Sequence, residues 1–110
     1  MPWKQVTIER PYEPDSLHKL LAEGSKGSLS RYTHSDIIDW ARGYADTLQR
    51  MAPLEPDLLP YWQVADDMGL RWELYIASTY SIDDMKRFSQ TDILLPKHYF
   101  HSWLDWLEQQ

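Results

Sequence analysis

SDIIDWARGYADTLQRM, residues 35–51, decides the fold. Its apolar residues fall at Ile37, Ile38, Ala41, Tyr44, Ala45, Leu48 and Met51. That spacing of three and four puts them on one face of an α-helix. Thr33 or Ser35 can cap this helix, and Asp36 places a negative charge in the first turn, at the positive end of the helix dipole. Trp40 lies beside the stripe and is expected to pack at its edge. Pro53 and Pro56 end the segment, because proline has no N–H to give to a helical ladder.

Working toward the N-terminus, Pro14 followed by Asp15 and Ser16 reads as a helix start, and LHKLLAE (residues 17–23) continues it with Leu17, Leu20 and Leu21. GSKGS (residues 24–28) reads as a flexible break. Residues 1–14 hold three of the seven prolines, and VTIE (residues 6–9) reads as a short strand or an extended arm laid on the body.

Working toward the C-terminus, a third helix is predicted from near Asp57. Pro60 is tolerated in its first turn, where no N–H is needed. Leu58, Leu59, Trp62, Ala65 and Met68 recur at helical spacing, with Val64 at the edge of the stripe. LRWELYIA (residues 70–77) reads two ways. Leu70, Trp72, Leu74 and Ile76 alternate as a strand would, while Leu70, Leu74, Ala77 and Trp72, Ile76 suit a helix buried widely around its circumference. The helix, running through or after Gly69, is preferred. Ser81 with Asp84 has the form of a capping box and opens a short helix, IDDMKRFSQ (residues 82–90). TDILLP (residues 91–96) is a connector. Pro96 then starts a final helix, KHYFHSWLDWLEQQ, with Tyr99, Phe100, Trp103, Leu104 and Leu107 as its apolar face. The expected architecture is all-α: one domain over residues 1–110, a compact bundle of about five helices with an N-terminal extended arm or short strand.

The totals limit what such a bundle can do. A length of 110 residues suits one domain with one modest core. A net charge of −6 argues against gripping nucleic-acid phosphates and permits an encounter with a basic protein steered by charge. The absence of cysteine excludes disulfides, thiolate nucleophiles and cysteine zinc sites. MPWKQVTIERPYEPD, residues 1–15, lacks the apolar stretch of a signal peptide, and no apolar run approaches the ~20 residues of a membrane helix. The expectation is a cytoplasmic protein that does not engage a membrane.

Asp-Asp-Met occurs twice, at residues 66–68 and 83–85. Asp83 and Asp84 follow a cap and sit in a first helical turn, which explains them without a ligand. Asp66 and Asp67 fall near the middle of the third helix, away from that favourable end. Asp is a weak interior helix former, and the one local support is Arg71, four residues past Asp67. This pair is the best candidate for a contact surface. Neighbouring residues on a helix point about 100° apart, so neither pair chelates a metal as a unit, and the calcium-loop pattern is absent. His98 and His101 can share a helix face, His34 with Asp36 looks like capping, and His18 stands alone. None belongs to an HExxH arrangement, and no GxSxG, P-loop or GxGxxG occurs, so no catalytic residue, metal or cofactor is expected. Six tryptophans are many for this length. Trp40, Trp62, Trp72 and Trp103 are expected in the core, Trp106 and Trp3 partly exposed.

SRYTHSDIIDWARGY, residues 30–44, resembles the "SR…DWA" helix of small, acidic, helical and mostly uncharacterised bacterial proteins. DMKRFSQTDILLPKHYFHSWLDWL, residues 84–107, resembles their C-terminal part, where a short helix and an "aDL" turn lead through an aromatic segment to a final "WL..L" helix. Gln90 stands where that turn often has a preceding glycine. Some of these proteins resemble the immunity proteins with which bacteria neutralise a toxin. The resemblance implies a protein-binding module without enzyme activity that occludes a basic toxin domain. On this chain the acidic contacts are expected from Asp66, Asp67, Asp83 and Asp84, with Trp106 as the exposed aromatic anchor. A regulatory or scaffold subunit with a non-toxin partner, or a small ligand-binding protein or enzyme, are the alternatives.

Overall fold

The computed structural model describes residues 8–51, 53–87 and 89–109, and of Gln90 the backbone. Five α-helices follow one another: α1 Pro14–Gly24, α2 His34–Arg50, α3 Leu59–Thr79, α4 Ile82–Arg87 and α5 Lys97–Glu108. No strand occurs among the described residues, so the fold is all-α. Short 3-10 turns at Gly27–Leu29, Pro56–Leu58 and Gln90–Asp92 stand in the connections. Trp3 and most of the predicted N-terminal arm lie outside the described residues. Ile8, which follows them, is buried in the core, and Glu9 has no regular structure.

The helix starts follow the local chemistry. Pro14 occupies the first turn of α1, where its missing N–H is no loss. The Thr33 hydroxyl accepts the Asp36 amide at 3.1 Å and caps α2. The α4 box is reciprocal. Ser81 Oγ accepts the Asp84 amide at 3.1 Å, and Asp84 Oδ2 accepts the Ser81 amide at 3.0 Å. A shorter Asp therefore does the work usually given to Glu.

The most extensive helix pair is α2 with α3, and α1 packs on α5, α2 and α3. Leu17, Leu20, Leu21, Ile37, Ile38, Val64, Met68 and Phe100 have no exposed surface, and Tyr44, Trp72, Ile93, Leu95, Trp103 and Leu107 complete the interior. Each fully buried aliphatic side chain contributes about 1.5–3 kcal/mol. Residues 70–78 are helix, a direct continuation of α3 through Gly69.

Several expectations are corrected by the packing. Met51 caps the C-terminus of α2 and is exposed rather than part of the stripe. Val64 is interior rather than at the edge of the stripe, while Trp40 is buried as expected of a core tryptophan, with Nε1 donating to the Arg10 carbonyl at 3.1 Å. The C-terminal half of α3 is not buried all round: Trp72 faces inward while Leu70 and Leu74 face out. Helix α4 stops at Arg87, short of Gln90. GSKGS turns a corner through a 3-10 turn that begins at Gly27. Gly24 closes α1 against the Phe100 ring, and Gly27 adopts φ 63°, the left-handed conformation that glycine takes without strain.

Candidate protein-binding surface

The two carboxylates at the centre of α3 point to different neighbours. Asp67 turns toward α5. Its Oδ2 accepts the Trp103 indole N–H at 2.9 Å and the Arg71 Nε–H at 3.1 Å. It fixes a buried donor that would otherwise lack a partner and ties α3 to α5. Asp66 and Asp67, taken together from the sequence as a contact pair, thus face different neighbours. Asp66 turns toward α2, is exposed, and makes no hydrogen bond or ion pair with the described residues.

Asp66 lines an open groove of about 390 Å³ between α2 and α3, with Arg42 and Asp46 from α2 and Gly69, Leu70 and Glu73 from α3. Gly69 leaves room for the Arg42 stem: a Cβ there would lie 3.2 Å from Arg42 Cγ and Nε. From that position Arg42 reaches Glu73 at 3.1 Å and Asp39 at 3.7 Å. Asp46 pairs with Arg50 at 3.1 Å. These pairs are solvent-exposed, so each stabilises the fold by at most about 1 kcal/mol. Counting Asp66, the acids of this face outnumber Arg42 and Arg50, so it stays net negative. Beside this acidic rim, Leu70 and Leu74 are 53% and 60% exposed. The two leucines are one helical turn apart and so lie side by side on the same exposed face.

The other expected contact residues are elsewhere. Asp84 is engaged in the α4 box, and Asp83 is exposed beside it in the first turn. Trp106 is 41% exposed on α5 and lines a separate shallow recess with Ser102, Asp105 and Gln109. The groove residues Arg42, Asp46, Glu73 and Leu70, and Leu74 beside them, were not anticipated as a site. A signal for them existed: Gly69 in a helix interior is unfavourable by about 1 kcal/mol relative to Ala, which marks a close approach.

The histidines do not converge. His18 Nε2 lies 3.1 Å from the Tyr61 hydroxyl, and His98 and His101 are exposed on α5. No group of three metal-ligating side chains occurs among the described residues. His34 is not a cap; it is fully buried. The Leu95 amide donates to its Nδ1 at 2.8 Å, so the neutral ring carries its proton on Nε2 and donates to the Gly24 carbonyl at 3.0 Å. Burial pushes its pKa below the ordinary value, against a weaker upward pull from the Gly24 bond. The Tyr44 hydroxyl is buried without a partner among the described residues, and its pKa is pushed up to about 12, mainly by burial and further by Tyr61 and Glu13. Neither group lines the α2–α3 groove or the recess at Trp106, and both are packed in the interior.

No protein-family model matches the chain, and no curated protein or solved structure matches it.

Proposed function

We propose that the chain is a protein-binding module for a basic partner, most concretely an immunity protein that neutralises a toxin by covering its working surface in the cytoplasm. The reading is carried by the α2–α3 face: the unpaired Asp66 carboxylate beside the exposed Leu70 and Leu74, under a rim completed by Asp46 and Glu73. Charges on such a rim speed and orient the encounter. The leucines then lose water against the partner and slow its release. A stable complex needs roughly 800 Å² per partner, so the footprint must extend beyond the groove. Asp83 and Trp106 contribute only if it reaches α4 or α5. No described helix is long and apolar enough to cross a membrane.

The test is recovery of the tagged chain from its own cells at low and high salt. The expected result is one stoichiometric basic partner, released by salt, that arrests growth when expressed alone and not when expressed with this chain. Asp66→Lys with Glu73→Lys should lower the association rate at least tenfold and flatten its salt dependence. A partner harmless on its own would refute toxin neutralisation. Unchanged kinetics in the double variant would refute the acidic face as the interface.

A further inference from the structure

The α2–α3 face has a pattern as well as a charge. Asp66, Leu70, Glu73, Leu74 and Ala77 are all exposed and follow the helical repeat along α3. The apolar members Leu70, Leu74 and Ala77 form a seam, and Asp66 and Glu73 lie along it. Across the groove the wall is α2, with Arg42 and Asp46. Two packed helices present a trough into which the side-chain ridges of a third helix can fit. An extended peptide finds no sheet edge to join among the described residues, so strand addition has no template there.

The charges select the occupant. Asp39 and Asp46 on α2 and Asp66 and Glu73 on α3 outnumber Arg42 and Arg50, which pair with three of them and leave Asp66 unpaired among the described residues. A second copy of the chain would set the same excess of acid against itself, so self-association through this face is opposed by its own field. A helix with lysine or arginine beside an apolar stripe matches both features.

We propose that the groove receives an amphipathic, basic helix of the partner. The apolar stripe of that helix lies on Leu70 and Leu74, and its cationic side chains reach Asp66 and Glu73. The inference rests on the reading of this chain as the binder of a basic protein, and it adds the form of the segment that is bound. Specificity then comes from the spacing of apolar and basic residues around the incoming helix, since charge alone attracts any polycation.

The probe is a pair of labelled peptides of about 14 residues, roughly 21 Å of helix, with identical composition. One has leucines at three-and-four spacing flanked by lysine and arginine; the other has the same residues reordered so that leucines surround the helix. Fluorescence anisotropy and circular dichroism are measured with the full chain at low and physiological salt. The patterned peptide should bind about tenfold or more tightly than its isomer and gain helix on binding. Leu70→Gln with Leu74→Gln should abolish that preference and leave a weak, salt-sensitive attraction common to both peptides. Asp66→Lys with Glu73→Lys should weaken both. Both variants change exposed side chains, and their far-ultraviolet spectra check that the fold is kept. Equal affinity for the two isomers overturns the helix-in-groove inference while leaving the acidic-face reading intact. Binding by neither peptide also overturns it; only the recovery experiment decides whether a basic partner exists.

Discussion

Replacing His34 by alanine should be among the most damaging single changes in this chain. The imidazole joins three segments: the end of α1 through the Gly24 carbonyl, the start of α2 where it sits, and the connector before α5 through the Leu95 amide. Its ring also packs on Phe100, with centroids 4.6 Å apart. Truncation orphans one buried acceptor and one buried donor, at roughly 1–3 kcal/mol each. The expected loss is about 3–5 kcal/mol, against about 5–15 kcal/mol for a whole domain. At about 4 °C per kcal/mol, melting should fall by roughly 12–20 °C. His34→Gln can keep one donor and one acceptor without titrating, and serves as the control.

The pH dependence has a defined sign. The folded pKa lies below the unfolded value of 6.5, so the unfolded chain takes up the proton first. The stabilisation is complete above pH 6.5 and is lost as pH falls from there toward the folded pKa. Relative to His34→Gln, the wild type should lose up to about 1.4 kcal/mol per pH unit in that window. Urea denaturation followed by tryptophan fluorescence from pH 8 to 5 measures both effects. An alanine variant within 1 kcal/mol of wild type, or parallel pH profiles for wild type and the glutamine variant, would refute the reasoning.

Three further contrasts test the geometry. Asp67→Ala should destabilise by roughly 1–3 kcal/mol because it orphans the Trp103 indole, whereas Asp66→Ala should stay within about 0.5 kcal/mol; equal denaturation midpoints would contradict the division of labour between them. Gly24→Ala should destabilise by about 1–3 kcal/mol, because its Cβ would lie 2.6 and 2.7 Å from Cδ1 and Cζ of the buried Phe100 ring. Gly69→Ala should be neutral or stabilising by up to about 1 kcal/mol, because a movable Arg42 stem yields and helix propensity improves; thermal melts compare the two. Tyr44→Phe should leave stability within about 0.5 kcal/mol or raise it, since the hydroxyl removed is buried and unpaired, and a calorimetric loss above 1 kcal/mol would show a hidden partner.

What could be read before folding was what neighbours in sequence decide. The Thr33 cap, the Ser81–Asp84 box, the proline at the start of α1 and the apolar stripe of α2 all depend on residues within one or two turns. What could not be read needed partners far along the chain. Asp67 looks superfluous until Trp103, 36 residues away, is brought to it. His34 looks like a cap until Leu95, 61 residues away, donates to it. In α3, Leu70 and Trp72 are equally apolar, and only the side on which α2 and α5 pack determines which of them meets water. The candidate site was legible only in part for the same reason: Asp66 stands out in sequence by its awkward place in a helix, but the groove beside it needs α2.

The pairing of α1 with α5 has a kinetic consequence. Helices α2 and α3 are neighbours in sequence and meet through a short loop, so their closure costs little chain entropy. Helix α1 must instead wait for α5, with every other helix between them, before Gly24 can meet Phe100. The α2–α3 hairpin should therefore be formed in the folding transition state and the α1–α5 seam should close after it. Weakening the hairpin should slow refolding, while weakening the seam should chiefly hasten unfolding. The lifetime of the folded molecule is then governed by the seam on which Gly24 and Phe100 lie, away from the face proposed to carry its binding.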